Sequence, residues 1–145
     1  MIIDINKLKQ QGKTEEDFTL YFTPDRNLLD IPNAIIDGDV RVDVNVSVTG
    51  REAYAEGKAT FTVKGECSRC LEEASVQAVV SFDAQFGMTH DAEYFIKAGQ
   101  IDLTASVEQA IIMDAPLVIY CKEDCKGVCF NCGANLNKSK CNCKN

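Results

Sequence analysis

The chain has 145 residues, of which 46% are hydrophobic and 26% charged, and this balance predicts a folded domain rather than a disordered segment. Fifteen Lys and Arg against 22 Asp and Glu give a net charge of −7, which argues against non-specific binding to nucleic-acid phosphates. No apolar stretch approaches the ~20 residues that a membrane helix needs. Residues 1–4 lack the basic and apolar regions of a secretory signal, so we expect a cytoplasmic protein.

The charge is distributed unevenly along the chain. Residues 121–145 carry five Lys against Glu123 and Asp124, a balance of +3, which leaves −10 for residues 1–120. Cysteine thiolates on a metal would offset much of the positive charge of this tail. The main body should therefore attract basic proteins better than RNA.

Alternation of apolar and polar residues predicts three long strands. In residues 39–48 every even position is Val and every odd position is polar, and similar patterns occupy residues 54–64 and 74–86. Three consecutive long strands predict an antiparallel meander with one covered face. Gly57 weakens the second strand or marks a bulge in it. We expect shorter strands at residues 1–8, 18–22, 94–98 and 117–120, and an interruption between residues 29 and 37.

Only residues 103–113 show apolar side chains at helical spacing. Asp102 or Thr104 can cap the first turn, and Pro116 ends the helix. The predicted fold class is α+β, mainly antiparallel β, as a curled sheet or barrel with one helix near residues 103–114 and a C-terminal zinc-knuckle appendage. The predicted domains are a body of residues 1–120 and a cysteine-rich metal-binding tail of residues 121–145 packed on it.

The chain contains eight cysteines, and metal binding or redox chemistry explains such a number in a reducing compartment better than disulfides do. Cys129 and Cys132, followed by Gly133, form a CxxCG knuckle whose two thiols can face one tetrahedral ion. Cys141 and Cys143 supply a second pair after a polar loop that could scarcely fold without an ion. The sequence therefore predicts a Cys₄ zinc site in the tail.

The mid-chain pair Cys67 and Cys70 lies between two predicted strands and has three interpretations. The pair is a redox-active dithiol, a plain hairpin end with two free thiols, or half of a metal site completed by Cys121 and Cys125. The last interpretation gives two structural zinc sites that use all eight thiols: Cys67, Cys70, Cys121 and Cys125, and Cys129, Cys132, Cys141 and Cys143. One zinc site in the tail is the simpler alternative, and spacing alone does not exclude an iron–sulfur (Fe–S) cluster.

The sequence contains no pattern of an enzyme. Closed all-thiolate metal sites are normally structural, whereas catalytic zinc keeps an open position beside His or carboxylate ligands. His90 is the only histidine, and the chain has neither a Gly-rich phosphate loop nor a GxSxG motif. We expect a non-enzymatic protein without a small-molecule substrate.

Four features occur together along the chain: segment 67–72 (CSRCLE) after a strand, an Ile-rich helix ending at Pro116, segment 125–127 (CKG), and segment 132–143, which starts with CGANLN and ends in CNC. In this combination the chain resembles the YceD family, whose members are called large ribosomal RNA subunit accumulation proteins. Val128 and Phe130 stand where the family more often has Leu and Pro.

The resemblance implies a non-enzymatic factor that acts by binding and supports the synthesis, processing or stability of large-subunit ribosomal RNA in bacteria. Its expected partner is a ribosomal protein or pre-ribosomal particle, or alternatively pre-ribosomal RNA contacted by Arg69 and the tail lysines. No sequence feature demands an oligomer. The alternative from another class is a thiol–disulfide or redox-sensing protein that uses Cys67 and Cys70.

Overall fold

The computed structural model describes residues 1–143. In chain order, these residues form the following elements: β1 (Ile2–Asp4), α1 (Ile5–Gln10), β2 (Glu15–Phe22), β3 (Ala34–Thr49), β4 (Glu52–Glu66), β5 (Glu73–Gly87), β6 (Tyr94–Phe95), β7 (Gln100–Asp102) and α2 (Thr104–Asp114).

The strands form one large sheet and one small pair. The large sheet has the order β2-β3-β4-β5-β6, with antiparallel neighbours except for the parallel pair β5 and β6, and β1 pairs with β7 separately. This arrangement confirms the predicted antiparallel meander. The barrel alternative is wrong, because no ladder joins edge strand β2 to edge strand β6 within residues 1–143, and β6 has only two residues.

The alternating pattern predicted the long strands correctly, with two differences in detail. β3 starts at Ala34, and its register against β4 shifts between Asp37 and Arg41, where Gly38 has a φ of +82°. Gly57 marks no bulge, since it pairs in register with Val44. A side chain there would collide with the backbone of β3, so the glycine allows the two strands to approach each other closely.

The structure corrects the N-terminal prediction, because residues 1–8 contain a three-residue strand followed by helix α1. The Asp4 carboxylate accepts a hydrogen bond from the N–H of Asn6 at 3.0 Å and caps the helix, while Ile5 and Leu8 are buried. Gly12, with a φ of +69°, follows its C-terminal end. The described residues therefore contain two helices rather than one.

Helix α2 lies where the helical spacing placed it. The Asp102 carboxylate accepts a hydrogen bond from the N–H of Thr104 at 3.0 Å, so it satisfies one free amide of the first turn. The helix ends at Asp114, two residues before Pro116, and packs against β5.

The structure contradicts one predicted short strand and shortens another. Residues 117–120 are irregular and join no ladder among the described residues, and only Ile119 in this segment is buried. Residues 94–98 contain only the two-residue strand β6, since the chain then turns through Ala98 and Gly99, which both have positive φ.

One face of the large sheet forms the core together with α1, α2 and β7. The same continuous apolar cluster includes three thiols, those of Cys67, Cys70 and Cys125. The cysteine-rich end of the molecule is thus packed directly onto the core of the sheet. No helix in residues 1–143 has both the length and the apolar character that crossing a membrane requires.

Candidate metal centre

Four thiols from two distant segments converge at the end of the β4–β5 hairpin. We call Cys67, Cys70, Cys121 and Cys125 the anchor cluster; their Sγ atoms all lie within 4.8 Å of one another. The Sγ atoms of Cys67 and Cys125 are 3.8 Å apart, and those of Cys70 and Cys121 are 3.6 Å apart. A tetrahedral ion with metal–sulfur bonds of about 2.3 Å requires sulfur atoms about 3.8 Å apart, and these two distances are close to that value, so the cluster could hold one metal ion.

The hairpin end is shaped by backbone hydrogen bonds that turn its two thiols to the same side. The N–H of Cys67 donates to the carbonyl of Glu72 at 2.8 Å, and the N–H of Leu71 donates to the carbonyl of Cys67 at 2.9 Å. Leu71 has a φ of +63°, which closes the turn. The N–H of Ser68 donates to the carbonyl of Ile119 at 2.8 Å, and this bond brings the segment after α2 alongside.

The remaining four thiols form a second group in the tail. We call Cys129, Cys132, Cys141 and Cys143 the tail cluster; their Sγ atoms also lie within 4.8 Å of one another. The N–H of Gly133 donates to the carbonyl of Cys129 at 2.9 Å, and Gly133 has a φ of +72°. The glycine therefore makes the tight turn that the CxxCG pattern predicts.

In each cluster one thiol readily loses its proton. Burial raises the pKa of Cys67, but the backbone N–H groups of Cys70, Cys121 and Arg69 outweigh burial and lower this pKa to about 6. In the tail cluster, the backbone N–H groups of Cys132 and Asn131 lower the pKa of Cys129 to about 6. Hydrogen bonds to the thiolate favour the charged form, which is the form that binds metal.

Another thiol in each cluster holds its proton strongly. Burial and the neighbouring anchor-cluster sulfurs raise the pKa of Cys121 to about 12. Cys132 and Cys129 raise the pKa of Cys143 to about 12. Four thiolates at these distances repel one another, and a divalent cation among them removes that repulsion. The all-sulfur donor set, the distances and this charge pattern fit a metal ion at each cluster.

A tail asparagine contacts the anchor cluster. The Asn137 side chain donates from Nδ2 to the Sγ of Cys125 at 3.3 Å, and its Oδ1 accepts the N–H of Lys126 at 2.9 Å. The Asn137 side chain is one cause of the lowered pKa of Cys125. From the sequence Asn137 is only a residue of the polar loop before Cys141, because nothing in the spacing connects it with a cysteine 12 positions earlier.

Arg69 is engaged within the protein. Its guanidinium carbon lies 4.4 Å from the ring centroid of Tyr120, and its Nη1 donates to the carbonyls of Glu123 at 3.2 Å and Cys125 at 3.4 Å. From the sequence, Arg69 either contacts a phosphate, such as that of RNA, or a carboxylate, or is a solvated residue of the hairpin. In the structure its guanidinium holds the segment that carries two of the anchor thiols.

A polar contact on the surface also joins the tail to the hairpin end. Lys138 Nζ donates to the Glu72 carboxylate at 2.9 Å, and Asn135 Nδ2 donates to the same oxygen at 3.4 Å. The hydrogen bond from Lys138, followed by that from Asn135, lowers the pKa of Glu72. Both partners are largely exposed, so this ion pair adds orientation more than stability.

The surroundings of Cys67 and Cys70 bear on the three interpretations of this mid-chain pair. Cys67 is fully buried and lies 3.8 Å from Cys125, while Cys70 lies 3.6 Å from Cys121. Neither thiol stands alone in a plain hairpin, and the pair lies between two strands rather than at a helix N-terminus. All eight cysteines are free thiols, in the two groups of four that the sequence arithmetic favours.

A comparison of the sequence with protein families finds a match to part of the chain. The family described as large ribosomal RNA subunit accumulation protein YceD matches residues 55–145. The chain belongs to the YceD family. The matched region begins in β4 and contains both cysteine clusters, so the part of the chain that matches the family also carries the candidate metal centre.

Similar proteins occur in mycobacteria and plants. An uncharacterized protein of Mycobacterium tuberculosis is 30% identical over 94% of this chain and 70% of its own length. One of Mycobacterium leprae is 26% identical over 67% of this chain. The Arabidopsis thaliana protein named large ribosomal RNA subunit accumulation protein YCED homolog 1, chloroplastic, is 39% identical over 30% of this chain.

These alignments cover 49% of the M. leprae protein and 14% of the Arabidopsis protein, so the chain spans about half, or less, of these relatives. No solved structure gives a significant match.

Proposed function

We propose that this YceD-family chain is a non-enzymatic binding factor that supports the accumulation of large-subunit ribosomal RNA during ribosome biogenesis. The observation that carries the proposal is the family match over residues 55–145, which includes both cysteine clusters. Two closed sets of thiol ligands, without His or carboxylate ligands, suit structural rather than catalytic metal.

The proposed metal is zinc, with one ion in the anchor cluster and one in the tail cluster. Zinc bound by four thiolates holds its ligands at fixed angles and has no open position for a substrate. In this chain the anchor ligands would hold the tail against the hairpin end, and the tail ligands would order residues 129–143. An Fe–S cluster is the alternative for the same ligands, and metal analysis distinguishes the two.

The proposed partner is a basic ribosomal protein or a particle that contains one. The support comes from the exposed face of the large sheet, where Glu56 of β4 lies directly opposite Asp83 of β5. Asp17 and Asn45, opposite each other on β2 and β3, continue this row across the sheet. Like charges placed opposite each other on a sheet cost stability, and a basic partner would relieve that repulsion.

The tail lysines offer RNA less positive charge than their number suggests. Lys138 contacts Glu72, Lys122 lies 4.0 Å from Asp124, and Arg69 is held by backbone carbonyls. Among the described residues this leaves Lys126 and Lys140 outside ion pairs. The charges therefore favour a protein as the first contact, and an RNA contact would be secondary.

The proposal is tested by depleting the protein from its own host cells and recording sucrose-gradient profiles of ribosomal particles. We expect a shortage of large subunits, with free small subunits accumulating, and recovery after re-expression of the native chain. An unchanged profile would contradict the role in ribosome biogenesis and leave only the fold and the metal centre.

The partner is tested with the double variant Glu56→Gln, Asp83→Asn in the same depleted cells. Neutralising this pair removes a repulsion, so the fold should be at least as stable, and a defect cannot be ascribed to unfolding. We expect weaker co-sedimentation with large-subunit precursors. The matched control is Asp91→Asn, Glu93→Gln, which removes two exposed charges from the loop after β5 and should behave as the native chain. Equal co-sedimentation of the two variants would refute the sheet face as the docking surface.

The lowered pKa of Cys67 favours one alternative, a thiol–disulfide function that uses Cys67 and Cys70. Full burial of Cys67 opposes it. Alkylation distinguishes a metal site from a redox pair, since metal-bound thiols resist a maleimide until a chelator is added. A redox pair reacts without the chelator and cycles with oxidant and reductant.

A further inference from the structure

We infer that Asn137 couples the two clusters, so that metal binding at the anchor cluster and at the tail cluster is cooperative. The inference rests on the metal-binding part of the proposed function. It assigns Asn137 a positioning role toward a ligand of the other cluster, and it makes the two centres one linked unit.

Asn137 occupies a position between the two clusters. It lies in the loop that joins Cys132 to Cys141, so ligation of these two thiols to one ion fixes both ends of that loop. Two contacts of its side chain lie at the other cluster, one to the sulfur of Cys125 and one to the N–H of the next residue, Lys126. One amide thus uses both its donor and its acceptor on the anchor cluster.

The side-chain amide of Asn137 is held in a fixed orientation by its own loop. The N–H and the Nδ2 of Asn137 both donate to Oδ1 of Asn135, at 2.9 and 3.1 Å. The carbonyl of Asn135 accepts the N–H groups of Lys138 and Ser139 at 3.0 Å each, which forms a tight turn. The side chain of Asn137 is therefore oriented by the folded loop, not by the sulfur that it reaches.

The same loop also packs against the chain that follows Cys125 of the anchor cluster. The N–H of Leu136 donates to the carbonyl of Gly127 at 2.9 Å, and Val128 pairs with Asn135 in an isolated bridge. Gly127 has a φ of +74°, and a side chain there would press on the carbonyl of Arg69. The loop of one cluster, the segment of the other and the hairpin end thus meet at Gly127.

The energetic consequence follows from linkage. An N–H donor stabilises a thiolate, so Asn137 strengthens Cys125 as a metal ligand when its loop is folded. An ion in the tail cluster folds that loop and thereby raises the metal affinity of the anchor cluster. By reciprocity, an ion in the anchor cluster raises the affinity of the tail cluster by the same factor. Loss of a hydrogen-bond partner of a metal ligand typically costs 10–100-fold in affinity, so we expect coupling of about tenfold.

The test measures zinc retention at each cluster separately in the full-length chain. Zinc-loaded protein is incubated with graded chelator and a maleimide, and mass spectrometry reports the modification of anchor-cluster and tail-cluster cysteines. In the variant Cys141→Ser, Cys143→Ser, we expect the anchor cysteines to become reactive at about tenfold less chelator than in the native chain. Asn137→Ala should reproduce this shift, and combining both lesions should add little to it.

Two variants sharpen the assignment. Asn137→Asp keeps an oxygen for the N–H of Lys126 but removes the donor to Cys125, so it should weaken the anchor cluster at least as much as Asn137→Ala does. Ser139→Ala is the matched control, since its hydroxyl donates to the carbonyl of Asn135 at 3.4 Å and contacts no cysteine among residues 1–143. It should leave both clusters unchanged.

The inference is overturned if the anchor cysteines resist the maleimide equally well with and without the tail ligands. It is also overturned if Asn137→Ala and Ser139→Ala need the same chelator concentration for modification. Either result, with two zinc ions still bound per chain, leaves the proposed function standing. A chain that binds no zinc refutes the metal proposal and the coupling together. The sucrose-gradient profile tests the role in ribosome biogenesis independently of both.

Discussion

The two cysteine clusters have the same ligand chemistry but join very different stretches of chain. The anchor cluster pairs Cys67 with Cys125, 58 positions apart, and Cys70 with Cys121, 51 positions apart. All ligands of the tail cluster lie within residues 129–143. The anchor cluster therefore closes a long loop and fastens the tail to the sheet, whereas the tail cluster organises a short segment that has little apolar core.

Burial shows the same difference. Three of the four anchor thiols belong to the continuous apolar core, whereas none of the tail-cluster thiols does. Cys129 is buried locally, Cys132 is exposed, and Cys141 and Cys143 are half-buried. Loss of the anchor cluster should thus release the whole of residues 121–143 from the hairpin end, while loss of the tail cluster should release only residues 129–143.

The largest expected effect is that of removing all metal. After chelation we expect residues 121–143 to lose protection from hydrogen exchange, because their thiols then repel and little apolar surface holds them. Strands β3, β4 and β5 should keep their protection, since their packing involves no metal. Hydrogen exchange with mass spectrometry checks this, and collapse of the sheet along with the tail would contradict the proposed division of roles.

The next effect separates the clusters by single ligands. Cys70→Ser and Cys132→Ser should each lower the zinc content by about one equivalent per chain, because a tetrahedral site that loses one of four ligands binds poorly. Cys70→Ser should expose residues 119–143 to protease, while Cys132→Ser should expose only residues 129–143. Metal analysis and limited proteolysis report both quantities. Unchanged metal content in Cys70→Ser would leave the tail cluster as the only site.

A smaller effect is expected at Arg69, which holds the anchor segment without binding metal. Arg69→Lys keeps the charge but loses the planar group over the Tyr120 ring and the Nη1 donor to two carbonyls. We expect a loss of about 1 kcal/mol in the free energy of opening of residues 120–125, as is typical of such cation–π contacts. Hydrogen exchange of this segment measures it, and zinc content should stay at two ions.

The smallest effect is expected at the surface contact between Glu72 and Lys138. Glu72→Gln should lower the melting temperature slightly at low ionic strength, and the difference should vanish at high salt because exposed ion pairs are screened. Thermal melts at two salt concentrations test this. A loss of zinc from this variant would show that the contact supports metal binding. The two clusters would then differ less in what stabilises them than we propose.

The accuracy of the sequence predictions follows the range of the interactions involved. Period-two alternation predicted β3, β4 and β5 because each side chain of a half-buried strand faces the core or water according to its own position. The same reasoning failed at residues 117–120, where an apolar run contains no information about a neighbouring strand. It also missed α1, since six residues show too little of the helical period, although Asp4 and Gly12 were available as boundary signals.

The amino-acid sequence alone determined the meander, helix α2, the knuckle at Cys129 and Cys132, and the resemblance to the YceD family, because these depend on residues close together in the chain or on their order. The tertiary structure decided how the mid-chain pair is completed, the contact of Asn137 with Cys125, and the internal role of Arg69. These contacts require the end of the β4–β5 hairpin and the segment after α2 to meet in space. Their meeting depends on the packing of the whole core.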